Sequence, residues 1–101
     1  YIVYASSAGG GQLFRIDIGG SNPVQLTSGV GGDNPDISLD SKWVLYSTYI
    51  DGLSAIVRMP IGGGEPLRLF DGIATEPRYS LDGKYFACFV LDEIKSVSLS
   101  G

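Results

Sequence analysis

Lys42-Trp43-Val44-Leu45-Tyr46 returns downstream as Lys84-Tyr85-Phe86-Ala87-Cys88, and Tyr1-Ile2-Val3-Tyr4 fits the same slot without its lysine. Further matches follow each slot. Phe14-Arg15-Ile16-Asp17-Ile18-Gly19-Gly20 parallels Val57-Arg58-Met59-Pro60-Ile61-Gly62-Gly63, and Pro23-Val24-Gln25-Leu26 parallels Pro66-Leu67-Arg68-Leu69. Pro35-Asp36-Ile37-Ser38-Leu39-Asp40 parallels Pro77-Arg78-Tyr79-Ser80-Leu81-Asp82. The offset is 42 residues at the ends of the unit and 43 in its middle, so one residue is gained and another lost between the copies.

A period of 40–45 residues with four strand-like runs per unit is the signature of propeller blades. The chain is therefore predicted to be all-β, built of β-propeller blades that are each a four-stranded antiparallel sheet. Its 101 residues hold about two and a half repeat units, at 1–42, 43–84 and 85–101. A radial array needs closure to protect its first and last sheets. So few units predict a partial propeller, completed by flanking sequence or by other copies, and a first residue that is Tyr1 rather than Met fits a piece of a longer protein.

Nothing reads as helix, because apolar residues do not recur at a spacing of three to four and 15 glycines and 5 prolines interrupt the chain. Strands are predicted at 1–7, 13–18, 23–27, 35–38, 42–49, 55–61, 65–70, 77–80, 84–91 and 94–99. Trp43-Val44-Leu45-Tyr46 and Tyr85-Phe86-Ala87-Cys88-Phe89-Val90-Leu91 are almost continuously apolar. A strand reads that way when both of its faces are buried, as in a sheet sandwiched between two neighbours. Val24-Gln25-Leu26-Thr27 and Leu67-Arg68-Leu69-Phe70 alternate instead, which suits the wet outer edge of a blade. Asp82-Gly83 supplies positive φ for a tight hairpin. Its counterpart Asp40-Ser41 has serine where glycine is preferred and is predicted to be slightly strained or to be a different turn type.

A net charge of −4 with scattered basic residues argues against a nucleic-acid or anionic-membrane surface. There is no histidine, which removes the commonest general base and metal ligand. One cysteine, Cys88, cannot form an internal disulfide and reads as a small core residue. No apolar run approaches the roughly 18 residues that span a bilayer as a helix.

Pro77-Arg78-Tyr79-Ser80-Leu81-Asp82-Gly83-Lys84 followed by an apolar strand, the run Ile56 to Leu69 with Asp71-Gly72 behind it, and Leu13 to Gly20 with Pro23 and Gln25-Leu26-Thr27 together resemble the WD40-like propeller repeat of the TolB type. The resemblance covers nearly the whole chain. Both copies carry leucine, Leu39 and Leu81, where the family usually has proline in Ser-Pro-Asp-Gly, and the third unit compresses into Asp92 to Leu99 with a shortened hairpin. The resemblance implies a propeller fold and a bacterial envelope protein, periplasmic or otherwise extracytoplasmic. Function is left open by it, because one fold serves many hosts.

No catalytic constellation survives inspection. No serine lies in a Gly-x-Ser-x-Gly elbow, and without histidine a Ser-His-Asp arrangement is impossible within the chain. Gly9-Gly10-Gly11 and Gly62-Gly63-Gly64 open strands rather than helices and lack the ending of a phosphate loop. Gly31-Gly32-Asp33-Asn34-Pro35-Asp36 offers oxygens but no EF-hand spacing, and its counterpart Ile73-Ala74-Thr75-Glu76-Pro77 lacks most of them. No cofactor or metal is expected. Trp43 shares a slot with Tyr1 and Tyr85 and reads as a packing position.

In a propeller, the loops between blades share a rim with the hairpins joining the second and third strands. Here those segments are 7–12, 28–34, 49–54, 71–76 and 91–94, and Asp33, Tyr49, Asp51, Glu76 and Arg78 are the candidate binding residues near that rim. The chain is accordingly expected to be a non-catalytic segment that recognises a protein, peptide or small ligand. Its rivals are the substrate-gating propeller of a larger prolyl-oligopeptidase-like serine peptidase and a self-assembling partial propeller.

Overall fold

In the computed structural model, the described residues are 1–6, 11–90 and 93–99, and they hold ten strands and no helix. The strands are β1 (Ile2–Ser6), β2 (Gln12–Ile16), β3 (Val24–Gln25), β4 (Asp33–Ile37), β5 (Trp43–Ile50), β6 (Leu53–Pro60), β7 (Leu67–Asp71), β8 (Ala74–Tyr79), β9 (Tyr85–Val90) and β10 (Glu93–Ser98). They form three antiparallel sheets. The first is ordered β1-β2-β3, the second β4-β5-β6-β7 and the third β8-β9-β10. The all-β prediction holds, and each of the ten predicted strands has an observed counterpart.

The repeat is visible in the ladders. Val3 pairs with Arg15, Leu45 with Arg58 and Ala87 with Ser96, each two residues beyond the shared aromatic slot. Sheets and sequence units share a period but differ in phase. Each inner strand, β4 or β8, precedes the aromatic slot, so the second sheet begins at Asp33 and not at residue 43.

The turns leading into β5 and β9 are built alike. Ser38 and Ser80 each donate their hydroxyl at 2.6 Å to Oδ1 of Asp40 and Asp82, and the same oxygen accepts the backbone N–H of Lys42 and Lys84 at 3.0 Å. The predicted strain is present: Ser41 is held at φ 60° where Gly83 takes φ 74°. Asp82-Gly83, however, is not a two-residue hairpin. Ser80 N–H donates to Tyr85 O, so four residues lie between the closing pair. The tight Asp-Gly hairpin is Asp51-Gly52, between the paired Ile50 and Leu53, with both central residues at positive φ as a type I′ turn demands.

Both inner strands start earlier than predicted because each contains a bulge. Pairing shifts between Asp33 and Asp36 in β4 and between Thr75 and Arg78 in β8. Asn34 and Glu76 take positive φ there, each just before a proline that has no N–H to pair. A bulge absorbs the unpaired residue and lets the ladder resume on its far side.

The middle sheet is buried on both faces, as its continuous apolar runs require. Val44, Tyr46, Ala55, Val57 and Met59 pack with Leu13 in one cluster, while Leu45 and Ile56 pack with Ala74, Phe86 and Cys88 in another. Successive residues thus feed opposite cores, which is the period-two geometry of a strand applied to a sheet with a neighbour on each side. The same reading fails for β9. Phe86 and Cys88 are buried but Tyr85 and Phe89 are exposed, because among the described residues no further sheet packs on that face of the third sheet.

Candidate functional site

A cleft of about 600 Å³ opens at the rim, where loop 26–32, the β5–β6 hairpin and the β7–β8 connection meet. Loop 26–32 is held to both neighbouring sheets by hydrogen bonds. Gln12, buried at the start of β2, donates Nε2 to Gly29 O at 2.8 Å and accepts the Thr27 hydroxyl at 2.7 Å, and that hydroxyl accepts Leu13 N–H. Gly32 N–H donates to Gly11 O at 3.1 Å, and the Thr48 hydroxyl donates to Gly31 O at 2.6 Å. Two glycines make this approach possible. A Cβ on Gly31, itself at φ 78°, would lie 2.5 Å from Gly11 O, and one on Gly32 would collide with the Tyr46 ring.

The cleft is lined by Val30, Asp33, Asn34, Thr48, Tyr49 and Ile73, with the hydroxyls of Ser47 and Ser54 beside them. The Asp33 carboxylate accepts Asn34 N–H at 2.9 Å, and the Ser47 hydroxyl donates to the Asp33 carbonyl at 3.2 Å. These bonds fix the bulge that presents both residues. The apolar residues lining the cleft lie open: Val30 is 65% exposed, Tyr49 58% and Ile73 71%. They form an apolar surface studded with hydroxyl, amide and carboxylate groups, suited to contact and hydrogen bonding.

Of the five predicted residues, Asp33 and Tyr49 line this cleft. Asp51 sits in the hairpin turn nearby and is exposed. Glu76 and Arg78 lie within β8 rather than in a rim loop, since that strand begins at Ala74. Arg78 is engaged with backbone, its Nη1 donating to Pro77 O at 2.9 Å and to Asn34 O at 3.4 Å. Parts of the predicted rim segments 7–12 and 91–94, and the Gly9-Gly10 pair, fall outside the described residues. Sequence reasoning missed Val30, Asn34, Thr48 and Ile73. A signal existed for two of them, because Val30 and Ile73 are equivalent at the 43-residue offset and each sits beside glycine in a connection.

Burial marks the core groups as chemically quiet. It raises the Tyr46 phenol and the Cys88 thiol above their ordinary pKa values, so both stay protonated at neutral pH. Among the described residues no three His, Cys, Asp or Glu side chains come together as a metal site. No protein-family model matches this chain, and no curated protein matches it.

Proposed function

We propose that this chain is part of a β-propeller of the WD40-like, TolB type, and that its rim cleft recognises a protein or peptide partner without catalysing a reaction. Three sheets with equivalent strand slots, ladders and turns support the propeller reading. The observation that carries the binding reading is the convergence of Val30, Tyr49 and Ile73, all more than half exposed, around a cleft with Asp33, Asn34 and Thr48. A contiguous apolar patch with a polar border is characteristic of interaction surfaces. The extracytoplasmic setting in a bacterial envelope rests on the sequence resemblance.

The test is selection of binders from a random peptide library displayed against the folded chain. Selected peptides are expected to bind at least about tenfold more weakly to Tyr49→Ala and Asp33→Ala, a loss of about 1.4 kcal/mol each, and to bind Arg78→Ala normally. Peptides indifferent to Tyr49 and Asp33 would refute the rim assignment.

A second reading has its own observation. Among the described residues β1 pairs only with β2, and β10 only with β9, so each leaves one edge open. Open edges invite strand addition, which supports completion of the ring by further sequence or by other copies. Light scattering of the isolated chain tests the latter: a discrete multiple of 10.7 kDa supports self-assembly and a folded monomer refutes it.

A further inference from the structure

The three sheets pack in a row, and the two contacts between them are made in the same way. Val44, Tyr46, Val57 and Met59 of the second sheet pack against Val3 and Leu13 of the first. Phe86 and Cys88 of the third sheet pack against Leu45 and Ile56 of the second. Phe86 and Cys88 stand 42 residues beyond Val44 and Tyr46, and Leu45 stands 42 beyond Val3. Each contact therefore joins one kind of face to a second, different kind.

Strand periodicity fixes which faces are left over. Val3 and Leu13 pack toward the second sheet, so Ile2, Tyr4, Phe14 and Ile16 lie on the opposite face of the first, where Ile2 pairs with Ile16 and Tyr4 with Phe14. These four occupy the slots of Val44, Tyr46, Val57 and Met59. At the other end Phe86 and Cys88 pack inward, so Tyr85, Ala87 and Phe89 lie outward, with Ile94 paired to Phe89. Ala87 holds the slot of Leu45, and the Phe89–Ile94 rung holds that of Ser47–Ile56. The two ends of the row thus present one uncovered face of each kind.

Both faces are apolar and open. Ile2 is 48% exposed and Tyr4 38%, the latter stacked 5.8 Å from Phe14, while Tyr85 is 46% exposed, Phe89 42% and Ile94 72%. Contiguous apolar surface of this kind marks a contact site. Either face set against its own twin would make a contact found nowhere within the chain. The first-sheet face of one copy set on the third-sheet face of another repeats the contact that the chain makes twice.

We propose that two copies of this chain assemble head to tail, the first-sheet face of each seated on the third-sheet face of the other. A contact between unlike faces closes into a ring when its rotation allows. Three sheets per copy give six in a pair, within the four to eight of a propeller, whereas a third copy would exceed them. The count rests on the propeller reading above. The contact deepens the self-assembly reading by using faces in place of open edges.

The experiment is light scattering of the folded chain with variants of each face. The unaltered chain is expected at twice 10.7 kDa. Ile2→Asp and Ile94→Asp, each disabling one face, are expected at 10.7 kDa when alone, with unchanged circular dichroism. Mixed in equal amounts they should form a dimer again, because one matched pair of faces survives, and it should be at least about tenfold weaker than the unaltered dimer. Tyr4→Asp and Phe89→Asp form a second pair with the same expectation. Leu53→Asp, on the middle sheet and 73% exposed, should leave the dimer intact. A monomeric unaltered chain would overturn both this proposal and the self-assembly reading. A dimer indifferent to both face variants, or one lost with Ile94→Asp but kept with Ile2→Asp, would overturn this proposal alone. A larger assembly that both variants dissolve would overturn the closed pair and count against the propeller reading.

Discussion

Asp36, on the inner strand of the second sheet, accepts the backbone N–H of Tyr79, on the inner strand of the third, through Oδ2 at 2.9 Å. It links consecutive sheets directly, next to the cores their faces share. The two residues are 43 apart, so one side chain of one copy anchors the backbone of the next. Asp36→Ala should therefore cost about 1–2 kcal/mol by loss of a charge-assisted bond, whereas Asp36→Asn, which retains an acceptor, should cost less. Urea denaturation of the two variants checks the ordering.

Ser41 and Gly83 occupy equivalent turn positions at φ 60° and 74°. A side chain is strained in that region and glycine is not. Ser41→Gly should stabilise the chain by about 0.5–1 kcal/mol, and Gly83→Ser should destabilise it by a similar amount. A thermal melt showing no difference in sign between the two would contradict the equivalence of the turns.

Gly32→Ala is expected to cost about 1–3 kcal/mol, because its Cβ would collide with the buried Tyr46 ring. The same change at Gly62, where a Cβ meets nothing, should be close to neutral. Equal melting temperatures for the two variants would show that loop 26–32 is not held against β5 as described.

Stability should fall at both extremes of pH. The Ser38 and Ser80 hydroxyls, then the Lys42 and Lys84 N–H groups, hold Asp40 and Asp82 below the usual carboxylate range. Their contribution is present above the unfolded pKa of about 4 and is lost as pH falls through the lower folded values. Burial pushes the Tyr79 phenol up to about 12. The neutral form is favoured in the fold, so its contribution is present below the unfolded pKa of about 10 and is lost as pH rises through about 12. Denaturation across pH should show both limbs. Tyr79→Phe should reduce only the alkaline limb, to which the raised Tyr46 phenol and Cys88 thiol also contribute, and Asp40→Asn with Asp82→Asn should reduce only the acid one.

Strand number, order and the doubly buried middle sheet were legible in the repeat because they are local or periodic properties. A run such as Trp43-Val44-Leu45-Tyr46 declares two buried faces by lacking polar alternation, and Asp40-Ser41 declares strain by departing from Asp82-Gly83. The same logic overreached at β9. Its sequence is as apolar as that of β5, but whether Tyr85 and Phe89 are covered depends on a neighbouring sheet and not on their own residue types.

The sequence alone determined the architecture of the unit: four strand slots, an aromatic at the start of the second, and a Ser-x-Asp turn before it, all set by short-range periodicity and backbone preference. Only the tertiary structure decided which side chains meet. It brought Asp33 and Tyr49 to one cleft with Val30 and Ile73, and placed Glu76 and Arg78 in a strand, because bulges at Asn34 and Glu76 extend the inner strands past their prolines. Residues of different strands converge through sheet stacking, and stacking distances are not written in the spacing of residues along a chain.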